Sequence, residues 1–385
     1  MTSTPTSPLL APAEPDVTER SFARHGAASS ERLRWFVDGV AAAFSTAGYE
    51  PRAVAGPDVQ VVLHAVDVER PRPYRRRRAP TFVVAIAEVA ARPNDRLRVG
   101  YPVLVRALAN VVVLVSADDR LAAHFVTLEQ GTATIDHTGD DAAFFRQVFT
   151  QLAPLASSRL VIANEFRADL EPELRGGDDQ TRQIGRAGAR LDALHLLPNP
   201  FPIEDLLTER DLRHVKLLYG IGGLSYGNLS ARRQPPTDSG YGPEYWMSAS
   251  GVDKSRLHDV GRDVLLVRGY DPARDAMVLA VPPDVTPNRV SVDAIEHWMI
   301  YREHPDVGAI VHVHAWIEGT PATEIAYPCG TLELADAVAS LVRQSPDPAA
   351  AVVGQRRHGL TITGRDLDDI FERIDGRIVP HVPMD

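Results

Sequence analysis

The chain has 385 residues, 44% of them hydrophobic and 24% charged, proportions that exclude a collagenous, fibrous or wholly disordered protein and predict two domains, at most three. Its 41 basic and 51 acidic residues give a formal net charge of −10, a poor balance for sequence-independent binding to nucleic acid or to an anionic membrane. A single cysteine, Cys329, leaves neither an intrachain disulfide nor a cysteine-built metal site, so a reducing cytoplasm is the expected compartment.

Residues 1–20 are rich in Pro, Ser and Thr and predict a disordered tail, with no basic segment ahead of an apolar one as a secretory signal would have. From Ser30 the pattern changes. Leu33, Phe36, Val37, Val40 and Phe44 recur at helical spacing, and Gly48 is a suitable stop. Short β-branched runs at 59–66, 81–89 and 111–115 read as strands, and 125–135 reads as a hairpin around Gln130-Gly131. The apolar run 103–115 is interrupted by Arg106 and Asn110, so it is buried strand or helix and too short to span a membrane. A helix over 141–155 and an apolar 160–162 complete a mixed α/β domain assigned to 21–175. It contains no glycine-rich phosphate loop, metal-ligand spacing or nucleophile motif. Its one unusual segment is the loop ERPRPYRRRRAP at 69–80, with Arg70, Arg72 and Arg75 to Arg78, readable as a solvated loop or as an anion- or subunit-contacting arm.

Gly176 to Thr181 is a polar break, and Pro198, Pro200 and Pro202 cluster soon after, so 176–202 reads as a connector with one short helix. A second domain is expected over 203–385. It holds eight of the thirteen histidines, which directs the search for chemistry.

In Ile310-Val-His312-Val-His314 the two histidines are two apart on an expected strand, so both side chains leave the same face. With His358, which precedes another β-rich run, they form the three-imidazole set that leaves an open position on a catalytic Zn²⁺; an ordinary pair of polar side chains is the alternative. Upstream, Ser291 is a candidate N-cap. That would set Asp293 in the first turn of a helix, where the dipole favours its ionised form, with Glu296 on a neighbouring face and His297 and Tyr301 one and two turns on. Packing through Ile295, Trp298, Met299 and Tyr301 explains the same helix without any catalysis. The glycine-rich stretch 220–233 is neither a Walker loop nor a dinucleotide fingerprint. Gly227-Asn228, followed by Ser230 and Arg232, could present backbone N–H groups, an amide and a guanidinium to an anion, and Ser248 to Gly251 offers a hydroxyl in a small-residue turn; a plain turn between strands explains either stretch equally well.

Taken in order, GLSYGNLSAR (223–232), SASGV (248–252), HWMIYREHPDVGAIVHVHA (297–315), CGTLELADAV (329–338) and RHGLTITGRDLDDIFERID (357–375) resemble the class II aldolase/adducin family. The resemblance spans about 205–375. It implies a three-layer αβα sandwich around a mostly antiparallel sheet, a homo-oligomer (commonly a tetramer), and a zinc-dependent aldol-type lyase acting on a small hydroxy-carbonyl substrate through a metal-stabilised enediolate. Epimerases, dehydratases and non-catalytic adducin-like binding proteins share the scaffold. By the same resemblance His312, His314 and His358 match the zinc ligands. Asn228, Ser250, Gly251 and Ser291 match positions that hold the substrate's phosphate or polar head, and Asp293 falls where the aldolases place a catalytic glutamate, with Glu296 as a second candidate. Three departures bear on the substrate: the segment between His314 and Cys329 is shorter than in the family's aldolases, and two are single residues. Val292 stands where the family motif has a second serine, and Asp293 is one methylene shorter than glutamate.

Overall fold

The computed structural model describes residues 20–384 apart from 57, 78–80, 117, 119, 120, 129, 199–202, 214–224, 236 and 238. Residues 1–19 of the tail expected over 1–20, Arg78, and the start of the glycine-rich stretch lie outside the described residues. Contacts divide the chain into two compact units, one of residues up to 128 with 132–156, the other of 129–131 with 157 onward. Among the described residues no helix is long and apolar enough to cross a membrane.

The first unit is built on a seven-stranded sheet. In chain order its strands are β1 (Ser21–His25), β2 (Glu50–Arg52), β3 (Val61–Ala65), β4 (Phe82–Val89), β5 (Val111–Ser116), β6 (Ala122–Val126) and β7 (Thr132–Asp136), and they lie side by side as β2-β1-β3-β4-β5-β6-β7. The first five are parallel and the last two antiparallel, the hairpin expected around Gln130-Gly131. Helix α1 (Glu31–Thr46) starts at Ser30, whose hydroxyl accepts from Leu33 N, and it buries the predicted Leu33, Phe36, Val37, Val40 and Phe44. The ambiguous run 103–115 divides between α2 (Arg96–Ala107) and β5, with Leu108 at φ 56° ending the helix. Helix α3 (Asp141–Ser157) closes the unit and packs Phe144, Val148 and Leu152 onto the same apolar cluster as α1.

The second unit starts earlier than the sequence suggests. Strand β8 (Ala163–Arg167), assigned above to the first domain, pairs in parallel with β12 (Ala276–Ala280) at the edge of an eight-stranded sheet. The intended connector holds α4 (Asp179–Ala193), which Asp178 and Thr181 cap reciprocally. Ile184, Ala187 and Leu191 on α4 are buried in the second unit's core, so the polar break at 176–181 is a helix start rather than a linker. Short α5 (Ile203–Leu206) follows. The remaining strands are β9 (Asn228–Arg232), β10 (Tyr245–Ser248), β11 (Val264–Asp271), β13 (Ala309–Val313), β14 (Val352–Gln355) and β15 (Gly359–Gly364). They complete the order β14-β15-β13-β9-β10-β11-β12-β8, antiparallel except at β12-β8. Helices α6 (Ala294–Glu303), α7 (Leu332–Gln344) and α8 (Leu367–Ile374) complete it. The chain is thus mixed α/β with two multi-stranded sheets.

Strand alternation positions the site. Leu229 and Ala231 of β9, and Ala309, Val311 and Val313 of β13, join the core built with α4 and α8. Asn228, Ser230 and Arg232, together with Ile310 and His312, therefore leave the opposite face. On the core side α4 lies backbone to backbone on the loop after β10. A Cβ on Gly188 would come within 2.0 Å of Lys254 O, and one on Gly185 within 2.7 Å of Leu257 O.

Candidate metal centre

His312 projects from β13, and His314 follows one step beyond the strand. His358 sits in the tight turn joining β14 to β15, closed by its N–H on Gln355 O (3.0 Å). The antiparallel register Val313↔Leu360 brings that turn alongside His314. Gly359 permits the approach, since a Cβ there would lie 2.2 Å from Val313 O. The three ring centroids are 5.1 Å (His312–His314), 5.0 Å (His312–His358) and 4.6 Å (His314–His358) apart. One nitrogen from each ring lies within 4.8 Å of the other two.

The donor chemistry fits a divalent cation. His312 Nδ1 donates to Leu360 O at 3.1 Å, which leaves Nε2 as the lone-pair nitrogen. That Nε2, His314 Nδ1 and His358 Nδ1 are all buried without a hydrogen-bond partner. Partnerless buried nitrogens on three imidazoles this close together fit a common partner. Burial, opposed by the Leu360 carbonyl and helped by the Lys254 ammonium, holds His312 down at about 4. Burial and the neighbouring His312 hold His358 at about 3, against the pull of Asp293. Burial and both other rings push His314 well below its usual value. All three are neutral at pH 7, the form that binds metal.

The two candidate carboxylates occupy different environments. Asp293 precedes α6 and is 4% exposed, but its side chain makes no capping bond to the helix. The N-cap position is Asp293 itself and not Ser291. The Asn228 amide donates to both, to Asp293 Oδ2 at 2.7 Å and to Ser291 Oγ at 3.1 Å, drawing the two side chains onto the face of β9. The expected dipole effect on Asp293 is overturned. Burial raises its pKa, opposed by His358, the Asn228 amide, the Gly330 backbone and Lys254. Its Oδ1 is buried and unpartnered. Glu296 commits both oxygens elsewhere, accepting from Thr361 Oγ1 (2.5 Å) and from Gln355 Nε2 (2.8 Å), and burial with Asp293 nearby raises its pKa well above the usual range.

The turn carrying Ser250 and Gly251 (φ 72°) lies against 289–291, through Ser250 N to Arg289 O at 2.8 Å and the bridge Ala249↔Val290. Asn228, Ser250, Gly251 and Ser291 are thus drawn together around the start of α6. Two neighbours read as possible anion ligands are not available. Ser230 Oγ bonds His297 Nδ1 (2.7 Å) and Tyr301 Oη (2.8 Å). Arg232 is buried, its guanidinium donating to the carbonyls of Val307 (2.9 Å), Tyr301 (2.6 Å) and His304 (2.9 Å) at the C-terminal end of α6.

One residue escaped the sequence reading. Lys254 is 3% exposed, with its ammonium on Ser225 O at 2.8 Å, and burial lowers its pKa to about 8 against the opposing pull of Asp293 and Asp253. The available signal was compositional. Lys254 is one of only two lysines among the 41 basic residues, the other being Lys216.

Residues 213–317 match the family model described as the Class II Aldolase and Adducin N-terminal domain. The chain contains a class II aldolase-like domain. No curated protein matches the chain. Among solved structures, an L-fuculose 1-phosphate aldolase is 16% identical and aligns over 52% of this chain and 81% of its own, with a TM-score of 0.34. A putative aldolase/epimerase/decarboxylase from Escherichia coli is 14% identical over 51% of this chain and 83% of its own, at a TM-score of 0.32. An aldolase II superfamily protein from Pseudomonas syringae is 15% identical over 53% and 74%, at 0.33. The first three of the five ordered motifs fall in the class II aldolase-like domain in whole or in large part, while His358 lies beyond its matched residues.

Proposed function

We propose that the chain is a zinc-dependent, aldol-type lyase that cleaves or forms a carbon–carbon bond in a small hydroxy-carbonyl compound. The observation that carries this reading is the set of three neutral imidazoles with partnerless nitrogens, His312 and His358 buried and His314 half-buried, beside the unpartnered Oδ1 of Asp293. Zn²⁺ bound there supplies Lewis-acid polarisation of a carbonyl oxygen. The protein's own residues do the rest. Asp293 takes and returns the proton at carbon, held in line by the Asn228 amide. Asn228, Ser250, Gly251 and Ser291 hold the polar head, and Val292 removes one hydroxyl from that end. Glu296 supports the Gln355–Thr361 pair behind His312 and is not the base. Intact ligand histidines count against an adducin-like binding protein. The same residues serve an epimerase or dehydratase, in which proton transfer by Asp293 leads to a different product.

The reading also takes the second unit as the family's three-layer sandwich beside a separate N-terminal domain, in a cytoplasmic homo-oligomer. The test is elemental analysis of protein purified without chelator, followed by a screen of hydroxy-ketones and hydroxy-acids with product analysis. Stoichiometric zinc with aldehyde release supports a lyase. Isomerised or dehydrated product moves the reaction class, and absence of metal removes the reading.

A further inference from the structure

A second group of partnerless buried nitrogens lies in the first unit, independent of the metal centre: His124 Nε2, Arg92 Nε and Arg96 Nε. The packing of α2 on β6 brings them together. A Cβ on Gly100 would lie 2.6 Å from Val126, so α2 rests on the sheet at that point. Arg96 is one helical turn before Gly100, and His124 is two strand residues before Val126 on the same face, so Arg96 sits over His124.

The charged groups around His124 are Arg96, Arg92, Asp136 and Asp118. Arg92 pairs with Asp136, and its backbone N–H donates to Asp118 Oδ2 at 3.0 Å. Arg96 has no carboxylate partner among the described residues. His124, 0% exposed, is hydrogen-bonded to Thr134 Oγ1 through Nδ1 at 3.0 Å, and the tautomer in which the hydroxyl donates carries the imidazole N–H on Nε2. Asp95 caps the twelve-residue helix α2 by accepting from Arg98 N, and the first turn leaves further backbone N–H groups without intrahelical partners. A guanidinium, an imidazole nitrogen and a helix start thus meet, and among the described residues Arg96 Nε and His124 Nε2 find no acceptor. The place is the carboxyl edge of parallel strands β4 and β5, where open α/β sheets receive ligands.

We propose that this corner binds a phosphate group, held by the Arg96 guanidinium and His124 Nε2–H at the start of α2, with Arg92 alongside. The phosphate is either free or the end group of a small phosphomonoester. The full chain is titrated calorimetrically with inorganic phosphate, glycerol 3-phosphate and, as control, glycerol, while the His124 ring nitrogens are followed by NMR. Binding should shift the His124 Nε2 signal, and Arg96→Met should weaken it by about tenfold or more, the worth of a charge-assisted hydrogen bond. In phosphate-free buffer Arg96→Met should hold or raise the melting temperature, because a half-buried unpaired cation is removed. His124→Gln supplies a second variant should the first fold poorly. Tighter binding of glycerol 3-phosphate assigns a phosphomonoester, and tighter inorganic phosphate assigns the free ion. No binding of either at millimolar concentration, or equal binding by Arg96→Met and wild type, overturns the proposal.

Discussion

The Asn228 amide nitrogen lies 2.7 Å from Asp293 Oδ2 and 3.1 Å from Ser291 Oγ, so one side chain on β9 fixes the direction of the candidate base at the head of α6. Asp293→Asn keeps the volume and removes the basicity. Turnover on any substrate that the screen identifies should fall by roughly 10²–10⁴-fold, the usual worth of general acid–base catalysis. Zinc content should stay at the wild-type level, because the proposed ligands are three histidines on other elements. Near-normal turnover with collapse in Glu296→Gln would instead assign the base to Glu296.

The three imidazoles make acid stability a second measurement. Their folded pKa values lie below the unfolded value of about 6.5, so the unfolded chain binds more protons than the folded one as pH falls. Their contribution is therefore present above about pH 6.5 and is lost as pH falls toward 4 and 3. Asp293 and Glu296 act in the opposite sense, since their raised pKa values contribute stability at low pH that is lost as pH rises through them. Comparing metal-free wild type with His358→Gln isolates one imidazole. Denaturant titrations between pH 7 and pH 4 should show a shallower loss in the variant. Parallel curves would mean that His358 is not buried neutral.

The elements that the sequence made legible are those whose signal is local. The period-3.6 run Leu33 to Phe44 and the period-2 pair His312/His314 each identify a face by spacing alone, and both faces stand where the spacing puts them. His358 needed the ordered motifs, because only the β13–β15 register brings it to the pair. What stayed hidden depends on pairing at a distance. Ser291 looks like a cap until the Asn228 amide competes for its hydroxyl. Arg232 looks like an anion ligand until three carbonyls from 301–307 claim its guanidinium. Asp293 has an ionised look at a helix start, yet the burial that reverses the shift is a tertiary property.

Arg232 separates a structural from a substrate role directly. Its guanidinium serves three carbonyls and lies 4.7 Å over the Tyr301 ring. Arg232→Met should destabilise the second unit by about 3 kcal/mol, the scale of leaving buried carbonyls unpaired. Its effect should appear in the melting temperature and not in KM. An unchanged melting temperature with a raised KM would return Arg232 to the substrate.

The last prediction concerns where the second unit begins. Ile184 and Leu191 of α4 are fully buried in the second unit's core, and the indole of Trp246 on β10 donates to Asp178 Oδ2 at 2.7 Å just before that helix. Gly185 and Gly188 hold α4 against the backbone of the loop that carries Lys254. A chain starting near residue 203 lacks this cover and exposes the core face of β9 and β13, so it should aggregate or bind a hydrophobic dye such as ANS. A chain starting at Ser157 keeps α4 and β8, and should melt cooperatively and retain metal. Gly188→Val in the full chain should reproduce part of the defect, because its Cβ meets a backbone carbonyl that cannot turn aside. A loss of about 1–3 kcal/mol is expected, the usual cost of overpacking, with Lys254 displaced from Ser225 O. Cooperative melting and full metal content in the chain that starts at 203 would show α4 to be dispensable.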